Sequence, residues 1–353
     1  MDEKLMALLQ EACAAKASDI FIIVGRPASF RAGGSIRVSR DRTVLLPKSA
    51  EELIQAIYKT ADRDFSNLAE GKDDDFSMSI PGLSRFRVCG YIQRGSYSAV
   101  IRVIPFELPD PVKLNIPEEI IRLGDKPKGM VLVTGTAGSG KSTTLACIIA
   151  DINKKRETHI ITLEDPIEYI HRHDKSIVSQ REIVVDTESY ATALRASLRQ
   201  SPDVILLGEM RDFDTISVAL TAAETGHLLL STLHTLGASN TINRILDVFP
   251  ANQQHQIATQ LAEVLEAVVS QQLVPTLDGD VIPVFEIMVV TDAIKNMIRS
   301  NKVYQIDGMI FSTKAQSGML SMDAELRRLV DEGRISKETA KQYAINEDRF
   351  KDM

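Results

Sequence analysis

The chain has no tryptophan, and aromatic residues make up only 5% of its 353 residues. Its core must therefore be built mainly from aliphatic side chains. The three cysteines, Cys13, Cys89 and Cys147, lie far apart, and no C-x-x-C pair occurs. That removes the signals for a disulfide framework and for a cysteine zinc site, and it suits a reducing cytosol. No apolar run approaches the roughly 18 residues that a membrane-spanning helix needs. The charged, amphipathic N-terminus does not read as a secretion signal. A basic excess is also missing, since the formal net charge is -7. That balance weighs against a nucleic-acid-binding surface, although it leaves room for local basic patches. The expectation is a soluble, intracellular protein able to dock onto membrane machinery, long enough for two domains.

What is present is organised around Gly135-Thr136-Ala137-Gly138-Ser139-Gly140-Lys141-Ser142. This reads G-x-x-x-x-G-K-S, a phosphate-binding P-loop. Met130 to Val133 before it suits a buried strand, and Ser142, Thr143 and the residues up to Ala150 suit a helix. Strand, glycine loop and helix are the context that lifts the motif above chance. Backbone N–H groups of such a loop close around phosphate oxygens, and the helix N-terminus adds partial positive charge. Lys141 is expected to reach the outer phosphates, and the Ser142 hydroxyl to hold Mg²⁺.

Leu5, Leu8, Leu9 and Ala12 recur at helical spacing over residues 2–16, with Asp2 as cap. A strand is expected at residues 20–24, with Ser35 to Val38 as a hairpin partner after Gly33-Gly34. A helix opens at Ser49, with Glu52 completing a capping box, and stops before Gly71. Asp73-Asp74-Asp75 reads as a solvated turn, and alternating strands follow at 76–80, 85–93 and 98–105. Residues 1–105 are thus an α+β domain, and the proline-rich 106–117 an extended linker. From residue 118 strands and helices alternate, which marks a parallel sheet. Strands are expected at 130–134, 159–163, 204–207, 228–232 and 281–289. Helices are expected at 141–153, 188–200, 214–223, 239–247 and 252–270, with a helical tail over 290–353.

Several strand ends carry chemistry. In a P-loop fold, ligands sit at the carboxyl ends of parallel strands. The second strand of this half ends in Glu164-Asp165-Pro166. The third runs Val204 to Leu207 into Gly208-Glu209, a Walker B-like segment whose acid follows a glycine. Glu164, Asp165 and Glu209 are candidates to meet Mg²⁺ or the attacking water, and Glu209 to serve as general base. His227 and His234 flank the fourth strand, and His234 has the better placement at its carboxyl end. Arg195 and Arg199 lie four apart on an expected helix, while Arg85, Arg87, Arg94 and Arg102 lie on strands of the first domain. A cation at the γ-phosphate, often supplied in trans, favours phosphoryl transfer.

Together these motifs resemble the secretion-type ATPases and, within them, the PilT/PilU retraction motors of type IV pili, from about Ala17 to about Ala344. The resemblance is carried by Thr134 to Thr144, by the "Asp box" Thr162 to Tyr169, by the unusual Walker B segment and by the "His box" from Thr221 to Thr235. It implies a PAS-like first domain, a RecA-like second domain and a homohexameric ring with ATP between subunits. Carried over by position, Lys141 and Ser142 bind phosphate and Mg²⁺, Glu209 is the catalytic glutamate and Glu164 the Asp-box acid. His234 and His227 become nucleotide contacts, and Arg85 and Arg102 approach the nucleotide. Ala293 to Arg299 resembles the family's A-I-R-x-L-I-R segment, with Lys295 for Arg and Met297 for Leu. Lysine cannot copy the planar arginine fork. Thr136-Ala137 replaces the commoner Pro-Thr at positions that contribute backbone. Extension motors carry two C-x-x-C pairs, and this chain has none.

The reading is an α/β protein with a PAS-like α+β domain (1–105), a linker (106–117) and a RecA-like ATPase domain (118–353). Its expected function is a Mg²⁺-dependent ATPase motor for pilus retraction, cytoplasmic and docked at the inner face of the cell membrane. The implied partners are other copies of the chain, an inner-membrane platform protein and a second retraction ATPase, with no nucleic acid. The alternatives are a nucleic-acid-translocating hexamer and a partner-dependent accessory retraction subunit.

Overall fold

The computed structural model describes residues 2–104, 108–312 and 318–350. Residues 105–107, at the expected linker, and residues 313–317 and 351–353 of the expected tail lie outside the described residues. The chain divides into two compact units, Met1–Leu108 with Glu168–Ile170, and Pro109–Ile167 with His171–Met353.

The first unit opens with α1 (Glu3–Ala14), which buries Leu5, Leu8, Leu9 and Ala12. The Asp2 carboxylate caps it by accepting the Leu5 N–H at 2.9 Å. Then come β1 (Asp19–Ile22), β2 (Ser29–Ala32), β3 (Ser35–Val38), α2 (Pro47–Thr60), α3 (Ser66–Ala69), β4 (Asp74–Ile80), β5 (Ser84–Gln93) and β6 (Ser96–Ile104). Among the described residues they form one antiparallel sheet in the order β3-β2-β1-β6-β5-β4. Three expectations need correction. β3 pairs with β2, a strand not foreseen, rather than with β1. The helix expected from Ser49 begins at Pro47, with the Ser49 hydroxyl accepting the Leu46 N–H at 2.9 Å, and ends at Thr60. The acidic trio is not a free turn: Asp74 and Asp75 belong to β4 and take bidentate bonds from Arg63 and Arg87.

The second unit contains α4 (Glu118–Ile121), β7 (Gly129–Thr134), α5 (Lys141–Lys155), β8 (His159–Glu164), β9 (Ile177–Glu182), α6 (Tyr190–Ser197), β10 (Val204–Leu207), α7 (Phe213–Glu224) and β11 (Leu228–Leu233). It continues with α8 (Ala238–Asp247), α9 (Ala251–Val264), β12 (Leu265–Pro275), β13 (Val281–Val289), α10 (Asp292–Arg299), α11 (Ile306–Ser312), α12 (Met322–Asp331) and α13 (Lys337–Tyr343). The sheet order is β13-β12-β7-β11-β10-β8-β9, and only the β12–β13 pair is antiparallel. Every residue of β7, β10 and β11 is buried, which is why these strands read as continuous apolar runs. Alternate side chains of β7 serve two cores. Met130 and Leu132 pack with α7, α8 and α9, while Val131 and Val133 pack with α4 and α5.

Two differences from the sequence reading matter for the site. The helix expected over 252–270 stops at Val264, and residues 265–275 are strand β12, parallel to β7. β9, the outermost strand, was also not expected. The described part of the linker is coiled rather than extended, since Ile116 N–H donates to Pro111 O at 2.9 Å and Leu114 N–H to Asp110 O at 3.1 Å.

Candidate active site

The P-loop leaves the carboxyl end of β7 and enters α5. Gly140 caps α5 in the left-handed region at φ 89°, and Gly135 holds φ 145°. Neither position takes a side chain. A Cβ on Gly135 would lie 2.2 Å from Gln271 O, and one on Gly140 would lie 2.8 Å from Gln271 Nε2. The buried Lys141 ammonium donates to Gly135 O at 3.0 Å and to Thr136 O at 2.8 Å, so it is folded back over the loop. Ser139 Oγ is buried without a hydrogen-bond partner among the described residues. A glycine cradle, a lysine above it and an unsatisfied hydroxyl inside it fit a polyphosphate. Thr136, Ala137, Gly138, Ser142 and Thr143 complete the loop and the first turn of α5.

β11 lies beside β7, β10 beside β11, and β8 beside β10. At about 4.8 Å per strand, Glu209 beyond β10 stands roughly 10 Å from the P-loop strand, and Glu164 on β8 roughly 14 Å. The register pairs Leu207 with Leu163, so the two acids are neighbours at one end of the sheet. Glu164 Oε1 accepts from Thr162 Oγ1 at 2.7 Å and from Gln180 Nε2 at 3.2 Å. Glu209 is largely buried. Its Oε2 lies 2.5 Å from Arg211 Nε and 3.3 Å from His234 Nε2. Tyr190 lies against Gly208. Burial first, and then the charges of Glu209, Asp165 and Glu164, hold its phenol above the ordinary value.

His234 follows β11 directly, at the same end as the P-loop, where Gly135 N–H donates to Leu233 O at 3.3 Å. His227 sits at the opposite end of that strand. Its Nδ1 contacts Ala222 O at 2.9 Å and its own carbonyl accepts the Gly129 N–H, so the structure does not bring it to the P-loop of its own chain. Arg85 and Arg102 belong to the first unit. Arg85 Nη1 lies 3.4 Å from Ser79 Oγ, and Arg102 Nε lies 3.5 Å from Asp19 Oδ1 with its side chain 68% exposed. Arg195 lies 4.0 Å from Asp214, and Arg199 falls beyond the end of α6.

Among the described residues no three His, Cys, Asp or Glu side chains converge on a metal position. The described residues therefore supply no all-protein cage. That donor set fits Mg²⁺, which keeps its waters and is held mostly through substrate phosphates with one or two protein oxygens. Ser142 stands in the first turn of α5, Glu209 lies two strands away from the P-loop strand and Glu164 three.

Sequence reading missed Arg211, Tyr190 and Gln271. Arg211 was detectable as a cation two residues after the candidate base. Gln271, with Gln272, was detectable as a polar pair inside an apolar stretch. Nothing in the local sequence marked Tyr190, whose role depends on α6 packing under β10. No helix among the described residues is long and apolar enough to cross a membrane.

A family model described as "Type II/IV secretion system protein" matches residues 1–343. The chain is 42% identical over 335 residues to a Pseudomonas aeruginosa protein described as the type IV pilus retraction ATPase PilT, covering 95% of this chain and 96% of that one. It is 44% identical over 315 residues to a twitching motility protein of Neisseria gonorrhoeae, covering 88% and 84% respectively. The crystal structure of a pilus retraction motor PilT with bound ADP superposes with a TM-score of 0.89 at 41% identity, over 99% of both chains. The chain thus belongs to the type II/IV secretion system protein family and, within it, to the PilT group of ATPases.

Proposed function

We propose that this chain is a Mg²⁺-dependent ATPase that works as a homohexameric ring and powers retraction of a type IV pilus. In this reading the first unit is PAS-like and the second RecA-like, and the protein docks on a platform protein at the inner face of the cell membrane. A second retraction ATPase is a further partner. The observation that carries the proposal is the P-loop cradle with Glu209 and His234 at the same end of the sheet.

The chemistry follows from the side chains. Lys141 exchanges its two loop carbonyls for phosphate oxygens, because a phosphate charge outweighs two carbonyl dipoles. Ser142 would hold part of the shell of a bound Mg²⁺, which would supply charge neutralisation at the phosphates. Glu209 orients a water for attack on the γ-phosphorus and accepts its proton as the bond to the β–γ bridging oxygen breaks and ADP leaves. Glu164, held by Thr162 and Gln180, is the site's second carboxylate. Arg85 and Arg102 act on the nucleotide of a neighbouring subunit, where an arginine in trans is worth most. His227, at the far end of its strand, acts on the nucleotide of a neighbouring subunit.

Glu209→Gln tests this reading. Nucleotide binding is retained and turnover falls roughly 10²-fold or more, the scale of losing a positioned base. Near-normal turnover removes Glu209 from the role. Deletion of the gene leaves surface pili in excess and abolishes twitching, whereas loss of pili points to extension instead.

A further inference from the structure

β12 is the one neighbour of the P-loop strand that carries none of the expected site residues, yet its middle is polar. Ser270, Gln271 and Gln272 are all buried in a strand whose other side chains, apart from Glu266, are apolar. Burying three polar side chains is unfavourable unless each is bonded. Each has a separate task. Ser270 Oγ accepts the Gly237 N–H at 2.9 Å, just beyond the His234 loop. Gln272 Nε2 donates to Tyr343 O at 2.8 Å on α13. Gln271 faces the P-loop.

Register explains why. Ser270 pairs with Thr134, the last residue of β7, so Gln271 lies opposite Gly135 as the chain turns into the loop. Its carbonyl fills the space where a side chain at 135 would stand. Its side chain reaches across the loop to α5. There Oε1 accepts from Thr144 Oγ1 at 2.7 Å, and Thr144 is fully buried. In this orientation of the amide, Nε2 lies against Gly140. One residue therefore touches both glycines that bound the phosphate cradle and the helix that follows it.

We propose that Gln271 is a positioning residue for nucleotide binding, which holds the first and last glycines of the P-loop at the spacing a polyphosphate requires. Lys141 cannot do this throughout a cycle, because the carbonyl bonds it makes to Gly135 and Thr136 are given up when it turns to phosphate. Gln271 stays on Thr144 in both conditions and keeps the loop from relaxing. The proposal rests on the reading of the P-loop as an ATP site.

The test compares full-length wild type, Gln271→Met, Thr144→Val and the double variant, using fluorescent ATP binding and steady-state turnover. Methionine keeps the volume and removes both polar atoms. Valine removes the same bond from the other side, so the test survives poor folding of either single variant. Loss of one buried bond in the bound geometry is expected to raise Kd and KM for ATP roughly tenfold, with kcat at saturation unchanged. The double variant is expected to be no worse than either single one, because both remove one interaction. Thr144→Ser, which keeps the hydroxyl, stays near wild type. Wild-type affinity in Gln271→Met, or additive losses in the double variant, overturns the inference while leaving the ATPase reading intact. Wild-type protein that binds no ATP removes both.

Discussion

Arg211 Nε lies 2.5 Å from Glu209 Oε2, on the same oxygen that His234 approaches. Among the described residues both contacts fall on Oε2, which leaves Oε1 to meet water. Arg211 is therefore an orienting partner for the candidate base. Arg211→Ala is expected to lower kcat by roughly ten- to hundredfold with KM for ATP little changed, since a small displacement of a catalytic group costs that much. Arg211→Lys recovers only part of this, because an ammonium cannot reproduce the directed Nε–H bond. Unchanged kcat in the alanine variant would show that the pair is a surface ion pair without a catalytic role.

Val184 has φ 70° and its side chain is 82% exposed. A β-branched residue in the left-handed region is strained, and exposure gives it no packing in return. The turn is held by Val184 N–H to Thr187 O at 2.7 Å and by Glu182 N–H to the Asp186 carboxylate at 2.7 Å. Val184→Gly relieves about 1–2 kcal/mol of backbone strain and costs about 0.5–1 kcal/mol of unfolded-chain entropy. The expected net effect is a rise in Tm of about 1–3 °C. Val184→Ala keeps the strained conformation and gives no such rise. A lower Tm for the glycine variant contradicts the strain.

The buried Glu286 carboxylate accepts the Ala238 N–H at 2.9 Å, where α8 begins. Burial raises its pKa from 4.5 to about 7. Asp307 and Asp323 push the same way, while the Ala238 bond and Arg349 oppose. The folded protein thus binds this proton more tightly than the unfolded chain does. The contribution is fully present below about pH 4.5 and is lost as the pH rises through about 7, on the order of 3 kcal/mol in all. Glu286→Gln keeps an acceptor and cannot ionise. Its Tm advantage over wild type should therefore grow from pH 5 to pH 8. A gap that is flat or shrinks over that range overturns the assignment.

What the sequence made legible follows from how directly each feature is written in it. The P-loop is a contiguous motif, and its strand and helix follow from local apolar patterning. The positions of Glu164, Glu209 and His234 at strand ends were legible because buried parallel strands need no alternation and stand out as apolar runs. β12 was misread for the same reason. Leu261 to Val269 is mostly apolar, with Glu263 and Glu266 among good helix formers, and periodicity alone cannot separate a buried strand from the end of a helix. β9 escaped because Ser179, Gln180, Arg181 and Glu182 carry no strand pattern, although Gln180 then bonds Glu164. Arg211 and Gln271 left local signals, a cation just after Glu209 and polar residues in an apolar stretch, whereas Tyr190 is set by tertiary neighbours, which local pattern does not record.

Gly208, between β10 and Glu209, gives the sharpest test of that last point. A Cβ there would lie 2.7 Å from the Tyr190 hydroxyl and 3.2 Å from Leu163 O. The phenol ring is packed against the aliphatic core and cannot swing away freely. Gly208→Ala must therefore push either the ring or the strand exit that carries Glu209. Displacing that exit is expected to lower turnover by roughly ten- to hundredfold while nucleotide binding persists. Tyr190→Phe removes the oxygen that the new methyl meets. Combined with Gly208→Ala it should restore much of the turnover, although the closer approach to Leu163 O remains. Tyr190→Phe alone should stay within a few-fold of wild type. Steady-state turnover of the two single variants and the double variant decides the matter. If the double variant is as slow as Gly208→Ala, the clash with Tyr190 is not what fixes Glu209, and the backbone contact with Leu163 is.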